Sequence, residues 1–168
     1  MRTLPQLLLL LFTAALLAAC SFHLRGQVGM PFETLYLEVA NPDTPFIKEL
    51  RRDLETNKVK LVTTAGQADV VLNIVFEMFD KQILSLNSSG RVNEFQLSYR
   101  VSARAYDIKG QDWISAEEFV MHRDYRYENN TAIAKEAEET LLYQNMRLNM
   151  VQQIMRRLSR AKPQLLPS

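Results

Sequence analysis

The sequence predicts an α+β fold, a two-layer sandwich in which a four-stranded sheet carries two helices packed on one face, in the order β-α-β-β-β-α. Three observations predict it. Residues 34–40 alternate apolar and polar side chains like a half-buried strand, residues 70–127 hold three longer stretches of strand character, and residues 132–160 repeat apolar side chains at helical spacing. No repeat or break divides these elements, so residues 33–162 are expected to form a single domain.

The first strand and the first helix are predicted between residues 34 and 57. One face of the strand consists of Leu35, Leu37 and Val39. Thr44 is the predicted N-cap of the helix and Pro45 its first residue, where the missing N–H of proline costs nothing. The apolar stripe of this helix consists of Phe46, Ile47, Leu50 and Leu54. Residues 58–63 are expected to form a short extended link.

Three long strands are expected to form an antiparallel meander. One apolar face of the first consists of Val70, Leu72, Ile74, Phe76 and Met78. The segments 87–90 and 107–110 have the composition of hairpin turns. Between these turns, strict alternation over residues 95–105 predicts a strand with one face on the core and one face in a polar setting. Residues 113–127 are expected to form the third strand.

The last predicted element is a long helix from about Ala132 to Arg160, which Pro163 ends. Its predicted core stripe consists of Ala137, Leu141, Leu148, Val151, Met155 and Leu158. Residues 163–168 are expected to be a flexible tail.

The amino-terminal stretch has the layout of a bacterial secretory signal peptide. A basic residue, Arg2, precedes an apolar run from Leu7 to Leu17, and small residues lead to Cys20, the only cysteine. This ending resembles a bacterial lipobox, which implies removal of residues 1–19 and attachment of N-acyl and S-diacylglycerol lipid to Cys20. The alternatives are a transmembrane anchor or an ordinary cleaved signal, but this apolar run is short for a membrane span, which needs about 20 residues.

The residue after the cysteine predicts the membrane to which the lipid is attached. In enterobacteria-like sorting, an aspartate directly after the lipidated cysteine resembles a signal for retention in the inner membrane. In this sequence that position holds Ser21. The prediction is therefore a protein anchored by its lipid in the inner leaflet of the cell outer membrane, on the periplasmic side. Residues 20–32 would then form a lipidated, membrane-proximal segment.

Composition argues against several classes of function. Arg2 is the only charged residue among residues 1–19, so the remaining chain carries equal numbers of basic and acidic side chains, which argues against binding to nucleic acid. With Cys20 lipidated, no thiol remains for a disulfide, a zinc site or a nucleophile. His23 and His122 lie outside any hydrolase or metal motif, and the sequence has no phosphate loop. We predict no enzyme, no metal site and no cofactor beyond the lipid.

Surface cations are the remaining candidates for function. Arg100 and Arg104 project from the polar face of the middle strand, where they either form cross-strand charge pairs or dock the sheet against a polar wall or an anionic ligand. Lys135 lies near a helix start, which is a position suited to anions, although such a lysine is ordinarily solvated. Arg91 flanks the first hairpin turn, and loop tips often carry binding residues.

Three short segments resemble one family. Residues 20–26, in the order Cys-Ser-Phe-His-Leu-Arg-Gly, are similar to the mature start of the LPS-assembly lipoproteins called LptE or rare lipoprotein B. Residues 93–97 and 132–135 are similar to the same family, and the element order extends the resemblance over the mature chain. The resemblance implies a lipoprotein that plugs the large outer-membrane β-barrel LptD, helps that barrel assemble and takes part in the insertion of lipopolysaccharide (LPS) into the outer leaflet.

The resemblance also implies direct binding of LPS. The basic residue at the helix start of the family's site matches Lys135. The second basic position of the family falls on Ser88, and Arg91 on the same hairpin is the candidate replacement. Two alternative functions are a free-standing periplasmic lipid-carrier lipoprotein, which would need an apolar cavity, and an envelope hydrolase, which would depend on His122.

Overall fold

The structure is a computed structural model that describes residues 29–127 and 132–164. The predicted signal peptide, the lipidation site Cys20 and most of the membrane-proximal segment lie outside the described residues, as does the end of the predicted tail. The elements are β1 (Thr34–Val39), α1 (Pro45–Thr56), β2 (Lys60–Val62), a 3₁₀ turn (Ala65–Gln67), β3 (Val70–Leu86), β4 (Val92–Tyr106), β5 (Asp112–Arg126) and α2 (Ala132–Ser159).

The sheet has five strands in the order β2-β1-β3-β4-β5. β1 is parallel to both of its neighbours, while β3, β4 and β5 form the predicted antiparallel meander. The α+β class with two helices is thus confirmed, but the prediction of four strands is wrong. The additional strand is β2, in the segment predicted as a link. It pairs with β1 from Lys60 opposite Thr34 to Val62 opposite Tyr36, and three residues are too few for alternation to identify a strand.

Both helices lie on the same face of the sheet. The neighbouring strand residues Phe79 and Tyr99 stack with their ring centroids 4.0 Å apart. Phe46 of α1 packs edge-on against Tyr99 at 6.2 Å, and Tyr143 of α2 packs edge-on against Phe79 at 4.8 Å. Because the two helices contact adjacent rings on one face, they share a single core. Complete burial of a side chain such as Phe46, which is 0% exposed, contributes about 1.5–3 kcal/mol.

Helix α1 begins as predicted. The Thr44 side chain accepts a hydrogen bond from the backbone N–H of Ile47 at 3.2 Å, and Pro45 occupies the first turn. A cap of this kind stabilises a helix by about 1 kcal/mol. The predicted stripe of this helix is also confirmed, since the buried residues are Phe46, Ile47, Leu50 and Leu54.

The buried stripe of α2 differs from the prediction. Val151, Met155 and Leu158 are buried as expected, but Ala137 is exposed, Leu141 is 58% exposed and Leu148 is 39% exposed. The residues that replace them in the core are Met146, Met150 and Ile154. Leu141 and Leu148 are seven residues apart. Because a straight helix has 3.6 residues per turn, positions seven residues apart drift around the helix, and these two leucines lie at the border between the buried and the exposed face.

A β-bulge between Ile74 and Phe76 reverses the faces of β3. Up to Ile74, alternate side chains of this strand face the helices, whereas beyond the bulge Phe76 and Met78 lie on the opposite face of the sheet. The single apolar face predicted from Val70 to Met78 is therefore wrong. The side chains of β3 on the helix side of the sheet after the bulge include Glu77, Phe79 and Lys81.

Candidate functional site

Lys135, the predicted anion-binding residue of α2, is engaged within its own helix. Its Nζ lies 2.6 Å from Glu138 Oε2, and the Lys135 side chain is 19% exposed. Residues three positions apart lie on the same side of a helix, so this pair is a local one. An anionic ligand of Lys135 would have to compete with the Glu138 carboxylate.

Arg91, the second candidate, follows a rigid turn between β3 and β4. The side chain of Asn87 accepts hydrogen bonds from the backbone N–H groups of Ser89 and Arg91, each at 3.0 Å. Gly90 has a φ of +74°, a left-handed conformation that favours glycine. The Arg91 residue is exposed and forms no ion pair with any residue in 29–127 or 132–164. The turn thus fixes the backbone of Arg91 and leaves its guanidinium available.

A charged cluster that the sequence did not predict ties α2 to the sheet. Lys81 of β3 lies 2.5 Å from Glu139 of α2, and the Tyr125 hydroxyl of β5 donates to the same carboxylate oxygen at 2.5 Å. The Lys81 ammonium also lies 4.2 Å from the centre of the Phe95 ring. This cluster holds the first half of α2 over the distal part of the β3–β4 hairpin.

The titration of the cluster reflects these contacts. Burial lowers the pKa of Lys81, but the hydrogen bonds with Glu139 and Tyr125 outweigh burial and raise it above its ordinary value. Burial likewise raises the pKa of Glu139, but the hydrogen bonds from Lys81 and Tyr125 reverse this, so the pKa is lowered. Burial, followed by the hydrogen bond to Glu139, raises the pKa of Tyr125 to about 12. The ion pair is therefore charged at neutral pH.

The two predicted residues lie towards the same end of the fold but do not touch. Lys135 precedes Glu139 by one helical turn, and Glu139 contacts the β3–β4 hairpin whose turn carries Arg91. No hydrogen bond or ion pair joins Lys135 to Arg91 among the described residues. Nearby positions of the hairpin are exposed and apolar: Ile83 (57%), Leu84 (47%) and Leu86 (57%).

The sheet face opposite the helices, which we call the open face, carries paired charges. Arg100 lies 3.5 Å from Glu118, and Arg104 lies 2.7 Å from Asp112. Arg104 also lies 4.9 Å from the centre of the Tyr106 ring. The cross-strand charge pairs, one of the two alternatives for these arginines, are present. Three apolar side chains on this face remain exposed: Phe76 (38%), Met78 (46%) and Val120 (42%).

His122 also lies on the open face. Its Nδ1 is 2.8 Å from the hydroxyl oxygen of Ser98 on the neighbouring strand. In a catalytic triad the nucleophile bonds to Nε2 while Nδ1 bonds to a carboxylate, so this geometry differs from a triad. Within the described ranges, no group of three or more His, Cys, Asp or Glu side chains is arranged to hold a metal ion. In the same part of the chain, no helix is long and apolar enough to span a membrane.

The fold and these sites define an α+β domain with a packed core, one uncovered sheet face and cations at the hairpin end. The model of the LptE family, described as lipopolysaccharide-assembly, matches residues 32–158. The chain therefore belongs to the LptE lipopolysaccharide-assembly family.

Relatives and solved structures agree with this assignment. The LPS-assembly lipoprotein LptE of Yersinia pestis (strain Pestoides F) is 35% identical over 156 residues, which is 90% of this chain and 74% of that protein. The solution NMR structure of a lipoprotein B from Nitrosomonas europaea is 37% identical, with a TM-score of 0.71 over 83% of this chain and 90% of the other. The crystal structure of rare lipoprotein B from Shewanella oneidensis is 27% identical, with a TM-score of 0.67 over 73% and 91% of the two chains.

Proposed function

We propose that this protein is an outer-membrane lipoprotein, anchored through Cys20 on the periplasmic side, that plugs the β-barrel LptD and assists its assembly. It also takes part in the insertion of LPS into the outer leaflet and binds LPS. Support comes from the family and from the lipobox-like sequence that ends at Cys20.

The open face is the observation that carries the plug proposal. An unclosed sheet with helices on one side exposes its other side, and here that side combines salt bridges with exposed apolar side chains. The lumen of an outer-membrane barrel is polar, so a docking partner must satisfy polar groups as well as exclude water. The paired charges of Arg100 and Arg104 remain partly exposed, at 40% and 43% of their side chains, and are therefore accessible to such a wall.

The hairpin end supports the proposed binding of LPS. LPS combines phosphate groups with acyl chains, and this end of the fold presents both kinds of complementary group. Arg91 offers a guanidinium that forms no ion pair among the described residues and can bind phosphate bidentately, and Lys135 lies at the start of α2. The exposed residues Ile83, Leu84 and Leu86 supply apolar surface nearby.

Co-purification tests the plug proposal. Tagged protein is extracted from its native envelope in mild detergent, and the proteins that elute with it are identified and quantified. We expect stoichiometric recovery of the barrel with the unmodified protein. The double variant Met78→Glu/Val120→Glu places two carboxylates opposite Arg100, which Glu118 already holds. It should recover at least about tenfold less barrel, because removing the added charges from water is costly.

A matched control makes this test specific to the open face. Leu141→Glu/Leu148→Glu introduces the same charges at exposed apolar positions of α2 and should recover the barrel normally. Equal losses in both double variants would contradict docking through the open face. If the unmodified lipoprotein elutes alone, the plug proposal itself is wrong.

The lipid-carrier alternative would need an enclosed apolar cavity. One apolar groove, lined by residues such as Ile47, Ile74 and Val75, has a volume of about 170 Å³. Ligand pockets usually exceed about 300 Å³, so this groove is small for a lipid. Stoichiometric binding of fatty acid by the protein in the absence of any barrel would favour the carrier over the plug.

A further inference from the structure

A second cationic site lies at the opposite end of α2 from Lys135. A cavity of about 480 Å³ opens between the last turns of this helix and β5. Its walls are formed by Glu117, Glu118 and Phe119 of β5 and by Gln153, Arg156, Arg157 and Arg160 of α2. Apart from Glu118, which pairs with Arg100 on the open face, the proposed function uses none of these residues.

The cavity runs along the backbone edge of β5. Successive side chains of a strand point to opposite faces, so three consecutive residues, Glu117 to Phe119, can line one cavity only if it borders the edge of the strand. β5 is the last strand of the sheet and, within the described part of the chain, pairs only with β4. Along residues 113–126, no other described segment forms a backbone hydrogen bond with its outer edge. Such an edge is a template for an additional strand.

The charge left unpaired in this cavity is positive. Glu117 is bound by Arg157 at 2.8 Å, and Glu118 is paired with Arg100 on the open face. Arg156 and Arg160 form no ion pair within the described ranges. They are four residues apart on α2, and like charges at this spacing repel each other. The negative carboxyl end of the helix offsets part of the repulsion between these two arginines, and carboxylates bound in the cavity would offset more of it.

The chain that follows α2 already contacts this edge at its first residue. After α2 ends, the backbone N–H of Gln164 donates to the carbonyl oxygen of Asp112 at 2.7 Å. The Ser115 hydroxyl donates to the side-chain oxygen of Gln164 at 3.2 Å. The beginning of β5 is thus partly covered by the chain itself, and the open stretch beyond it is the one that borders the arginines.

We infer that the outer edge of β5 at Glu117–Phe119 binds an extended acidic segment of a partner protein. The backbone of that segment adds as a sixth strand, and its carboxylates are held by Arg156 and Arg160. Strand addition supplies affinity through main-chain hydrogen bonds, and charge-assisted bonds to guanidinium groups select for acidic residues. This inference is independent of the proposed function, because it requires neither LPS nor a barrel.

Synthetic peptides test this site with the full chain held in non-ionic detergent. The probe is a fluorescein-labelled nine-residue peptide of alternating threonine and glutamate, and binding is followed by fluorescence anisotropy. One comparison peptide has lysine in place of glutamate. The other replaces every threonine with proline and carries N-methylated glutamates, which removes all backbone donors while leaving the charge unchanged. We expect saturable binding of the first peptide alone, together with slower amide exchange in residues 116–120.

Two double variants locate the binding. Arg156→Gln/Arg160→Gln should weaken the affinity for the acidic peptide at least about tenfold. The control variant Arg51→Gln/Lys60→Gln removes the same charge from exposed positions on α1 and on β2, the strand at the opposite edge of the sheet. It should change the affinity less than about twofold. The inference is overturned if the acidic peptide does not bind, or if the proline peptide binds equally well, since charge alone would then suffice. Equal weakening by the two variants would overturn it as well.

Discussion

Lys81 and Glu139 are 58 residues apart in the sequence, yet their charged groups meet at 2.5 Å where the β3–β4 hairpin passes under α2. The contact is partly shielded, with 33% of the lysine side chain and 21% of the glutamate side chain exposed. Tyr125 bonds to the same carboxylate, so three elements, β3, β5 and α2, converge on one oxygen. This convergence connects the hairpin end to the helix that carries Lys135.

Neutralising Glu139 should therefore loosen the first half of α2. We expect Glu139→Gln to lower the free energy of unfolding by about 1 kcal/mol, because the ion pair is lost while an amide oxygen can still accept from Tyr125. Urea denaturation measures this loss, and amide exchange should accelerate in the first half of α2. The control is Glu136→Gln, an exposed glutamate of the same helix whose side chain forms no ion pair among the described residues. A similar loss in the control would show that net charge, rather than this contact, is responsible.

The same pair should make stability depend on pH in a defined way. The pKa of Glu139 is lowered, so its contribution is present above its ordinary value of 4.5 and is lost as the pH falls through the lowered value. The pKa of Lys81 is raised, so its contribution is present below its ordinary value of 10.5 and is lost as the pH rises through the raised value. The stability difference between the unmodified protein and Glu139→Gln should be constant between these limits and shrink on both sides.

Urea denaturation from about pH 3 to pH 11 would show this dependence. The pKa of Tyr125 is raised to about 12, so its contribution to stability is present below its ordinary value of 10.0 and is lost as the pH rises through the raised value. Tyr125 therefore affects the stability only on the alkaline side. A difference that grows as the pH falls below 4 would contradict the assignment of the cluster.

Glu138 should act as an internal competitor of LPS at Lys135. The two side chains are joined at 2.6 Å, so removal of the carboxylate frees the ammonium for a phosphate group. We expect Glu138→Gln to raise the affinity for LPS about twofold, matching the few tenths of a kcal/mol that such a helical pair contributes, and Lys135→Gln to lower it. Titration of LPS into the detergent-solubilised protein provides the measurement.

The control for this prediction is again Glu136→Gln. It changes the net charge by the same amount as Glu138→Gln but does not free Lys135. If both variants raise the affinity equally, the effect is long-range electrostatics and Lys135 is not a specific ligand of LPS.

Local signals in the sequence predicted local structure well. The cap at Thr44, the stripe of α1 and the turn at Gly90 each depend on residues within one or two turns of chain, and each is confirmed. β2 could not be predicted in this way, because a three-residue strand exists only when α1 has returned the chain to the side of β1. Its stability comes from tertiary pairing and not from its own pattern.

The cluster around Glu139 escaped prediction for a related reason. The bulge at Ile74/Phe76 shifts the alternation of β3 by one residue, so Lys81 faces the helices although a regular strand would place it on the open face. A bulge depends on pairing with β4 and leaves no clear mark in the sequence of β3. The candidates Lys135 and Arg91 were identified by the family resemblance and by their positions at a helix start and beside a turn. The pairing of Lys135 with Glu138 is a local contact that their three-residue spacing on a helix could have indicated.

Tyr99 should be sensitive to the loss of a single oxygen atom. It is 0% exposed, and its hydroxyl donates to Glu77 Oε1 at 2.9 Å, which satisfies a carboxylate that the bulge turns towards the helices. Burial, followed by the nearby charge of Glu77, raises the pKa of Tyr99, so the hydroxyl stays protonated and remains a donor at neutral pH. Tyr99→Phe keeps the stacking with Phe79 but leaves the carboxylate without this donor.

We expect Tyr99→Phe to lower the free energy of unfolding by about 1 kcal/mol, because the partly buried Glu77 carboxylate loses a charge-assisted hydrogen bond. The double variant Tyr99→Phe/Glu77→Gln should recover part of this loss, because an amide is less costly than a carboxylate to bury without its partner. Chemical denaturation of both variants, with Tyr127→Phe as a control for hydroxyl removal from a half-buried tyrosine, decides the matter. An unchanged stability in Tyr99→Phe would mean that solvent already hydrates Glu77, and that the bulge brings this carboxylate to the core at no energetic cost.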